Sequence, residues 1–251
     1  MWKTALITGA AKRIGRQLAL DLAGVGYDIA VHCNASRNAA DDVAAEITSK
    51  GRKAVVVQGD LSLFETPDRI VGEAVAALGS LDVLINNASV FEDDEVGGIS
   101  RDSWDQHLNA NLRAPVMLAQ AFARQLPAGE SGNVINLIDQ RVWKLNPQFF
   151  SYTISKAGLW TATRTLAQAL APHIRVNAIG PGPALPSARM DDAAFQRQGE
   201  LTLLKRGTSP AEISAAAQFI LSQPALTGQM IALDGGQHLV WQTPDVVEVT
   251  E

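Results

Sequence analysis

Short, continuously apolar runs alternate with longer stretches of helical period along almost the whole chain. The strand-like runs are Ala5–Thr8, Asp28–His32, Ala54–Gln58, Val83–Asn86, Asn133–Ile138, Arg175–Ile179 and Met230–Leu233. They are apolar throughout rather than at every second residue, as expected of strands buried on both faces of a parallel sheet. Between them the spacing predicts helices over Gly15–Val25, Ala39–Lys50, Asp68–Leu78, Ser103–Gln125, Tyr152–Leu170 and Ala211–Leu221. Repeated strand–helix–strand order implies right-handed crossovers. The expected fold is α/β: a single doubly wound Rossmann-type domain over residues 1–251, with a parallel sheet of about seven strands. No linker or internal repeat interrupts it. One irregular stretch, Gly180–Thr208, follows a strand and holds Pro181, Pro183 and Pro186. Long loops in compact domains are usually functional, and this one reads as a substrate lid.

Composition narrows the function classes. Hydrophobic residues make up 47% and charged residues 19%, enough apolar material for one large core. The net charge of −5 argues against a nucleic-acid binder. No run approaches a membrane span, and Met1–Gly9 lacks a signal-peptide pattern, so a cytoplasmic enzyme is expected. One cysteine, Cys33, excludes an internal disulfide and a cysteine metal cluster. His107, His173 and His238 are scattered, and no metal is expected.

The first strand runs into Thr8-Gly9-Ala10-Ala11-Lys12-Arg13-Ile14-Gly15 and then a helix. A glycine turn there lets backbone N–H groups and the helix N-terminus face an anion, as in dinucleotide binding. An NAD site usually carries an acid at the end of the second strand. This chain has His32-Cys33-Asn34-Ala35-Ser36-Arg37, with no acid before Asp41. Ser36 and Arg37 suit a 2′-phosphate, so NADPH is the expected cofactor. Arg37 could equally be a solvated helix-start residue. Asp60, at the end of the third strand, could accept from an adenine amino group or cap a helix.

Tyr152 and Lys156 stand four apart, on one face of a helix. An ammonium near a phenol stabilises phenolate, and Lys156 is expected to lower the Tyr152 pKa from about 10 towards working pH. The pair then makes a proton donor.

With these residues in place, the chain resembles the short-chain dehydrogenase/reductase family from end to end. The resemblance rests on Thr8-Gly9…Gly15, Asp60-Leu61, Asn86-Asn87-Ala88, Asn111, Tyr152-x-x-x-Lys156, Gly180-Pro181-Gly182 and Asp234-Gly235-Gly236. It implies that Asn86 and Ala88 line the cofactor site. It implies that Lys156 holds the nicotinamide ribose and that Asn111 anchors a water in a proton relay. It adds Gly9, Lys12, Ile14, Gly15, Leu61, Asn87, Pro181 and Gly182 to the expected cofactor contacts.

Two departures from the family pattern carry specificity. Arg13 stands where a third glycine is usual, and Asp139 stands where the family has a catalytic serine, 13 residues before the tyrosine. A carboxylate would repel the alkoxide formed from a ketone by about 4 kcal/mol at 4 Å and a dielectric of 20. That is roughly a thousandfold in rate, so a ketone is disfavoured unless Asp139 is protonated. A ring with N–H donors and a basic C=N nitrogen reverses the sign. Thr8-Gly9-Ala10-Ala11-Lys12-Arg13-Ile14-Gly15, Asn87-Ala88-Ser89-Val90-Phe91 and the Asp139/Tyr152/Lys156 trio are similar to pteridine reductases and bacterial dihydromonapterin reductases. The latter also share a tail like Gly235-Gly236-Gln237-His238-Leu239. That resemblance implies that Phe91 stacks on a pterin and that Ser89 and Arg13 hydrogen-bond pterin or cofactor phosphates. His32 and Ser36 match its second strand.

The expected reaction is hydride transfer to a C=N bond of a dihydropterin or dihydrofolate-like substrate, with Asp139, Tyr152, Lys156 and Asn111 catalytic. The alternatives are a carbonyl or 3-oxoacyl reductase and a non-catalytic NADPH-binding regulator. Asp139 could instead pair structurally with Arg13 or Arg141, and Phe91 could be core packing. Trp143 and Trp160 read as packing residues, with Trp143 near enough to Asp139 to touch substrate. A homotetramer is expected, with the two long helices pairing through Leu159, Ala162, Leu166 and Leu170; core packing explains these positions as well.

Overall fold

The computed structural model describes residues 3–187 and 189–247. Met1, Trp2, Ala188 and 248–251 lie outside the described residues. So do the first two residues of the expected chain start, one residue of the expected lid and the end of the 1–251 span. The described residues form a parallel seven-stranded sheet in the order β3-β2-β1-β4-β5-β6-β7. The strands are β1 (Lys3–Ile7), β2 (Tyr27–Cys33), β3 (Ala54–Gln58), β4 (Val83–Asn86), β5 (Gly132–Leu137), β6 (Ile174–Pro181) and β7 (Met230–Leu233). The chain winds outward from β1 to β3, then returns to place β4 on the other side of β1. The C-terminal ends of β1 and β4 therefore flank the switch point, where such sheets open a binding crevice.

The continuous apolar runs have a simple cause. Ala5 and Ile7 of β1 join Ile29, Val31 and Ile85 in one core layer, against α1 (Arg13–Gly24), α2 (Arg37–Ser49) and α8 (Pro210–Ser222). Leu6, Ala30 and Leu84 face the opposite layer, against α3 (Thr66–Leu78) and α5 (Ala114–Gln125). Successive side chains point to opposite faces, and both faces are covered, so apolar residues occur at consecutive positions rather than at every second one.

Two elements differ from expectation. The long helix predicted over Ser103–Gln125 is α4 (Arg101–Leu108), a π turn (Asn109–Arg113) and α5. Pro115 sits at the start of α5 and has no N–H to donate to the carbonyl of Asn111 one turn back, which favours the wider turn. The stretch read as irregular, Gly180–Thr208, contains a helix, α7 (Asp192–Glu200), with the Asp191 carboxylate capping it by accepting from the Ala194 N–H at 2.7 Å. An Asp cap ahead of a polar segment was a legible signal; the three prolines before it masked it.

Below the crevice a buried polar ladder joins β4, β5 and α6 (Phe150–Leu170). Asn86 donates to Asn136 at 2.8 Å, Asn136 to the Thr163 hydroxyl at 2.9 Å, and Thr163 to the Leu159 carbonyl at 2.8 Å. Asn86 is thus a brace under the sheet ends. It is not among the residues lining the crevice, and the expectation that it lines the cofactor site is corrected. Leu159, Leu166 and Leu170 pack into the core, which accounts for their apolar character.

Candidate active site

The turn after β1 is shaped by two glycines. Gly9 has a φ of +63°, and a Cβ there would stand 3.1 Å from the Ala88 backbone. A Cβ at Gly15 would stand 2.2 Å from the Gly9 carbonyl oxygen. The Gly9 N–H donates to His32 Nδ1 at 3.1 Å, so the other ring nitrogen carries the proton and donates to the Gly59 carbonyl at 3.0 Å. His32 is buried and its pKa falls to about 4, burial being the main cause, so the ring stays neutral. It ties the turn to the end of β3 through backbone groups. Thr8 and Asn87 complete the tie: the Thr8 hydroxyl accepts from the Asn87 and Ala88 N–H groups, and the Asn87 amide donates to the Thr8 carbonyl. The start of α1 has no side-chain cap and no acid in its first turn.

Together these surfaces line a cavity of about 390 Å³, which also takes in Lys12, Ile14, Asp60, Leu61 and Asn34. An uncapped helix start beside a glycine turn, with a lysine and no acid at the end of β2, fits the phosphates of a dinucleotide. Gly15→Ala is an expected failure of this turn. Overpacking against backbone costs about 1–3 kcal/mol, so nucleotide affinity measured by fluorescence titration should drop about tenfold.

A larger cavity, about 700 Å³, opens from this one past Arg13, Ile14, Asn87 and Ser89. At its floor the Tyr152 hydroxyl donates to Asp139 Oδ2 at 2.9 Å, while Asp139 Oδ1 accepts from the Arg141 N–H at 2.8 Å. Lys156 donates to the Leu137 carbonyl at 2.8 Å, with its ammonium 5.7 Å from the Tyr152 ring centroid. Burial pushes the Asp139 carboxyl up from its ordinary value, against the opposing pull of its hydrogen bonds and of Arg141 and Lys156. Burial lowers Lys156 to about 8. The expectation that Lys156 lowers the Tyr152 pKa is corrected: Tyr152 lies well above 10, through burial first and the Asp139 charge second. Burial alone raises a phenol, and the charge in contact with it, the Asp139 carboxylate, adds to that rise, while the Lys156 ammonium makes no hydrogen bond to it. Asp139 makes no ion pair with Arg13. Its one bond to Arg141 goes to the backbone, so the pairing alternative does not describe it.

The side wall is aromatic. Phe91 stacks on Phe149 at 4.4 Å and 15°, and meets Tyr152 edge-on at 4.7 Å. Both phenylalanines line the cavity, so Phe91 is a wall residue rather than core. Asn111 braces this segment: its side chain accepts from the Val90 N–H and the Ser89 hydroxyl, and donates to the Val90 carbonyl and Ser155. The lid crosses above. Arg13, itself at φ +55°, donates to the Pro186 carbonyl at 3.0 Å and the Leu185 carbonyl at 3.4 Å. Arg189 pairs with Glu92 at 2.5 Å and donates to the Phe91 carbonyl at 2.6 Å. Pro181 and Gly182, at the end of β6, close the rear.

Residues 3–197 match the family model of the short chain dehydrogenases. The chain belongs to that family. Among its relatives is the 3-oxoacyl-[acyl-carrier-protein] reductase FabG of Staphylococcus epidermidis, 34% identical over 95% of this chain and 100% of that protein. Two solved structures are more similar. FolM alternative dihydrofolate reductase 1 from Brucella suis, in complex with NADP, is 48% identical with a TM-score of 0.94, covering 97% of this chain and 98% of that one. The same-named protein from Brucella canis, complexed with NADP, is 47% identical with a TM-score of 0.93, covering 98% of each.

Within this family member the sequence-derived residues divide. Asp60 accepts from the Ser62 N–H at 2.8 Å in the loop after β3, ahead of the start of α3 at Thr66, so it does not cap that helix; it also lines the smaller cavity. Arg37 pairs with Asp41 at 2.9 Å, half-exposed, and neither it nor Ser36 lines that cavity. Trp143 packs edge-on against Trp160 and His238, away from the larger cavity. Among the described residues no group of His, Cys, Asp and Glu could hold a metal, and no helix is long and apolar enough to cross a membrane. Sequence reasoning missed Asn34, Phe149 and Arg189. Asn34 was legible as the residue next to Cys33; the other two reach the site through a left-handed turn at Phe149 (φ +53°) and the fold of the lid.

Proposed function

We propose that this protein is an NADPH-dependent pterin reductase that transfers hydride to a C=N bond of a dihydropterin or dihydrofolate-like substrate. One observation carries the reading: the Asp139 carboxyl, in hydrogen bond with Tyr152, faces a cavity walled by Phe91. The likeness to two FolM dihydrofolate reductases bound to NADP supports both the substrate class and the cofactor.

When bound, the nicotinamide supplies the hydride. The chain's own residues do the rest. Gly9, Lys12, Ile14 and Gly15 would hold the phosphates, and Asn34, Asp60 and Leu61, which line the same cavity, would hold the rest of the nucleotide. Lys156 would hold the nicotinamide ribose. Phe91 offers a flat face to the ring, and Ser89 and Arg13 offer donors to its edge or to the phosphates. Tyr152 gives its proton to the ring nitrogen as the neighbouring carbon is reduced. The protonated Asp139 carboxyl then returns a proton to the phenolate, and when ionised it accepts from ring N–H groups. The Asn111 side chain is fully engaged, so its part in a water relay would fall to its main-chain carbonyl, which Pro115 cannot satisfy.

NADPH oxidation with dihydrobiopterin, dihydromonapterin and dihydrofolate tests the proposal; no rate above background with any of them removes it. A 3-oxoacyl reductase is the second reading, favoured by the FabG likeness and opposed by Asp139. A single domain over 1–251, a cytoplasmic location and a homotetramer built on the long helices complete the proposal, and sedimentation tests the last.

A further inference from the structure

The helix that carries Tyr152 begins without a cap of its own. Phe149, at the N-cap position of α6, offers no side-chain acceptor, and the first turn contains no acid. The first N–H groups of a helix need partners, and a missing one frays the first turn. Tyr152 stands in that turn, as the third helical residue.

The partners come from a distant segment. The Phe150 N–H donates to the Asp94 carbonyl at 2.9 Å, and the Ser151 N–H donates to Asp94 Oδ1 at 2.9 Å. Asp94 is 57 residues away in sequence and three residues beyond Phe91. Its other carboxylate oxygen accepts from the Ser103 hydroxyl at 2.6 Å, which anchors it to α4. Between Phe91 and Asp94, the Glu92 N–H donates to Nε2 of the fully buried His107 at 3.1 Å, while His107 Nδ1 donates to the Ser103 carbonyl at 2.8 Å. One short segment therefore bears the aromatic wall at one end and closes the catalytic helix at the other, with α4 fixing both.

We propose that Asp94 is a positioning residue, a cap supplied from another part of the chain that holds the first turn of α6 and sets Tyr152 against the Phe91 wall. Burial pushes the carboxyl up, but its hydrogen bonds from Ser103 and Ser151 outweigh that and keep it below its ordinary pKa, as suits an ionised acceptor. A carboxylate at this place also complements the positive end of the helix. The inference rests on the reading of Tyr152 as the proton donor.

The test uses the full chain with NADPH and a dihydropterin. A small displacement of a reacting group costs one to two orders of magnitude, so Asp94→Ala is expected to lower kcat at least about tenfold. NADPH affinity, read from its own fluorescence, should stay within about twofold, because the β1–α1 turn makes no use of Asp94. Asp94→Asn keeps an oxygen for Ser151 and should recover most of kcat. Hydrogen exchange at residues 150–153 should accelerate in Asp94→Ala and remain slow in Asp94→Asn. A wild-type kcat in Asp94→Ala, unchanged exchange there, or equal loss of kcat and NADPH affinity overturns the proposal. If Asp94→Ala does not fold, an Asp94→Asn enzyme with a slow-exchanging helix start but a kcat as low as a Tyr152 variant overturns it instead. Absence of pterin turnover in the unaltered protein sinks the functional reading alone, and exchange at the helix start still decides whether Asp94 caps α6.

Discussion

Tyr152→Phe is expected to stop pterin reduction while leaving NADPH binding intact. The change removes one oxygen from a buried side chain and keeps the ring that meets Phe91 at 4.7 Å. What disappears is the proton for the ring nitrogen. A positioned general acid contributes about 10²–10⁴ in rate, so a loss within that range is expected. Stopped-flow single-turnover rates and a fluorescence titration with NADPH check the two halves. A variant that keeps more than a tenth of the rate would move the proton source elsewhere in the site. The loss should fall on kcat rather than on KM, since the phenol acts on the developing charge.

Asp139→Ser is expected to exchange substrates. Serine restores a neutral donor beside Tyr152, so a ketone should become a substrate above the Asp139 pKa, where the ionised carboxylate would repel an alkoxide by about 4 kcal/mol. Pterin turnover should fall about a hundredfold or more, because the group that refills the phenol is gone. The pH profile gives an independent check. Burial holds the Asp139 pKa above its ordinary value, so its proton is present on the acid side and is lost as the pH rises through the raised pKa. Reduction should therefore be faster at low pH and decline on that limb, and Asp139→Asn should abolish the limb. A second decline is expected near pH 8, where Lys156 loses its charge. Asp139 raises the Lys156 pKa, so in Asp139→Asn this second limb should move to lower pH. A pH profile identical in the two enzymes would deny Asp139 any part in proton delivery.

Arg13 illustrates how much a sequence departure can say. Its position marked it as a lost glycine, and the turn does have the positive φ, +55°, that explains why glycine is usual there. A non-glycine residue in that region carries strain of about 1–2 kcal/mol. The sequence could not say what offsets it. The fold places the guanidinium between the nucleotide turn and the carbonyls of Leu185 and Pro186, so that one side chain borders both cavities.

The strand pattern, the glycine turn, the Tyr152/Lys156 pair and the serine-to-aspartate exchange at 139 were all legible, because each rests on local periodicity or on spacing within one element. The parallel sheet followed from the same local signal, since strands covered on both faces carry apolar residues at consecutive positions. What the chain alone did not determine was the sign of the electrostatics and the closure of the site. Helix spacing brought a cation near Tyr152, yet the charge that governs its proton comes from the end of β5, 2.9 Å away. Arg37 had the right chemistry for a phosphate, and in the fold it pairs with Asp41 on its own helix, half-exposed and outside the smaller cavity. Phe149 and Arg189 line the site, and Asp94 closes the helix beneath it, only because segments distant in the chain meet there. Coulomb and capping interactions depend on distance and burial, and both are set by the packing of elements far apart in the chain.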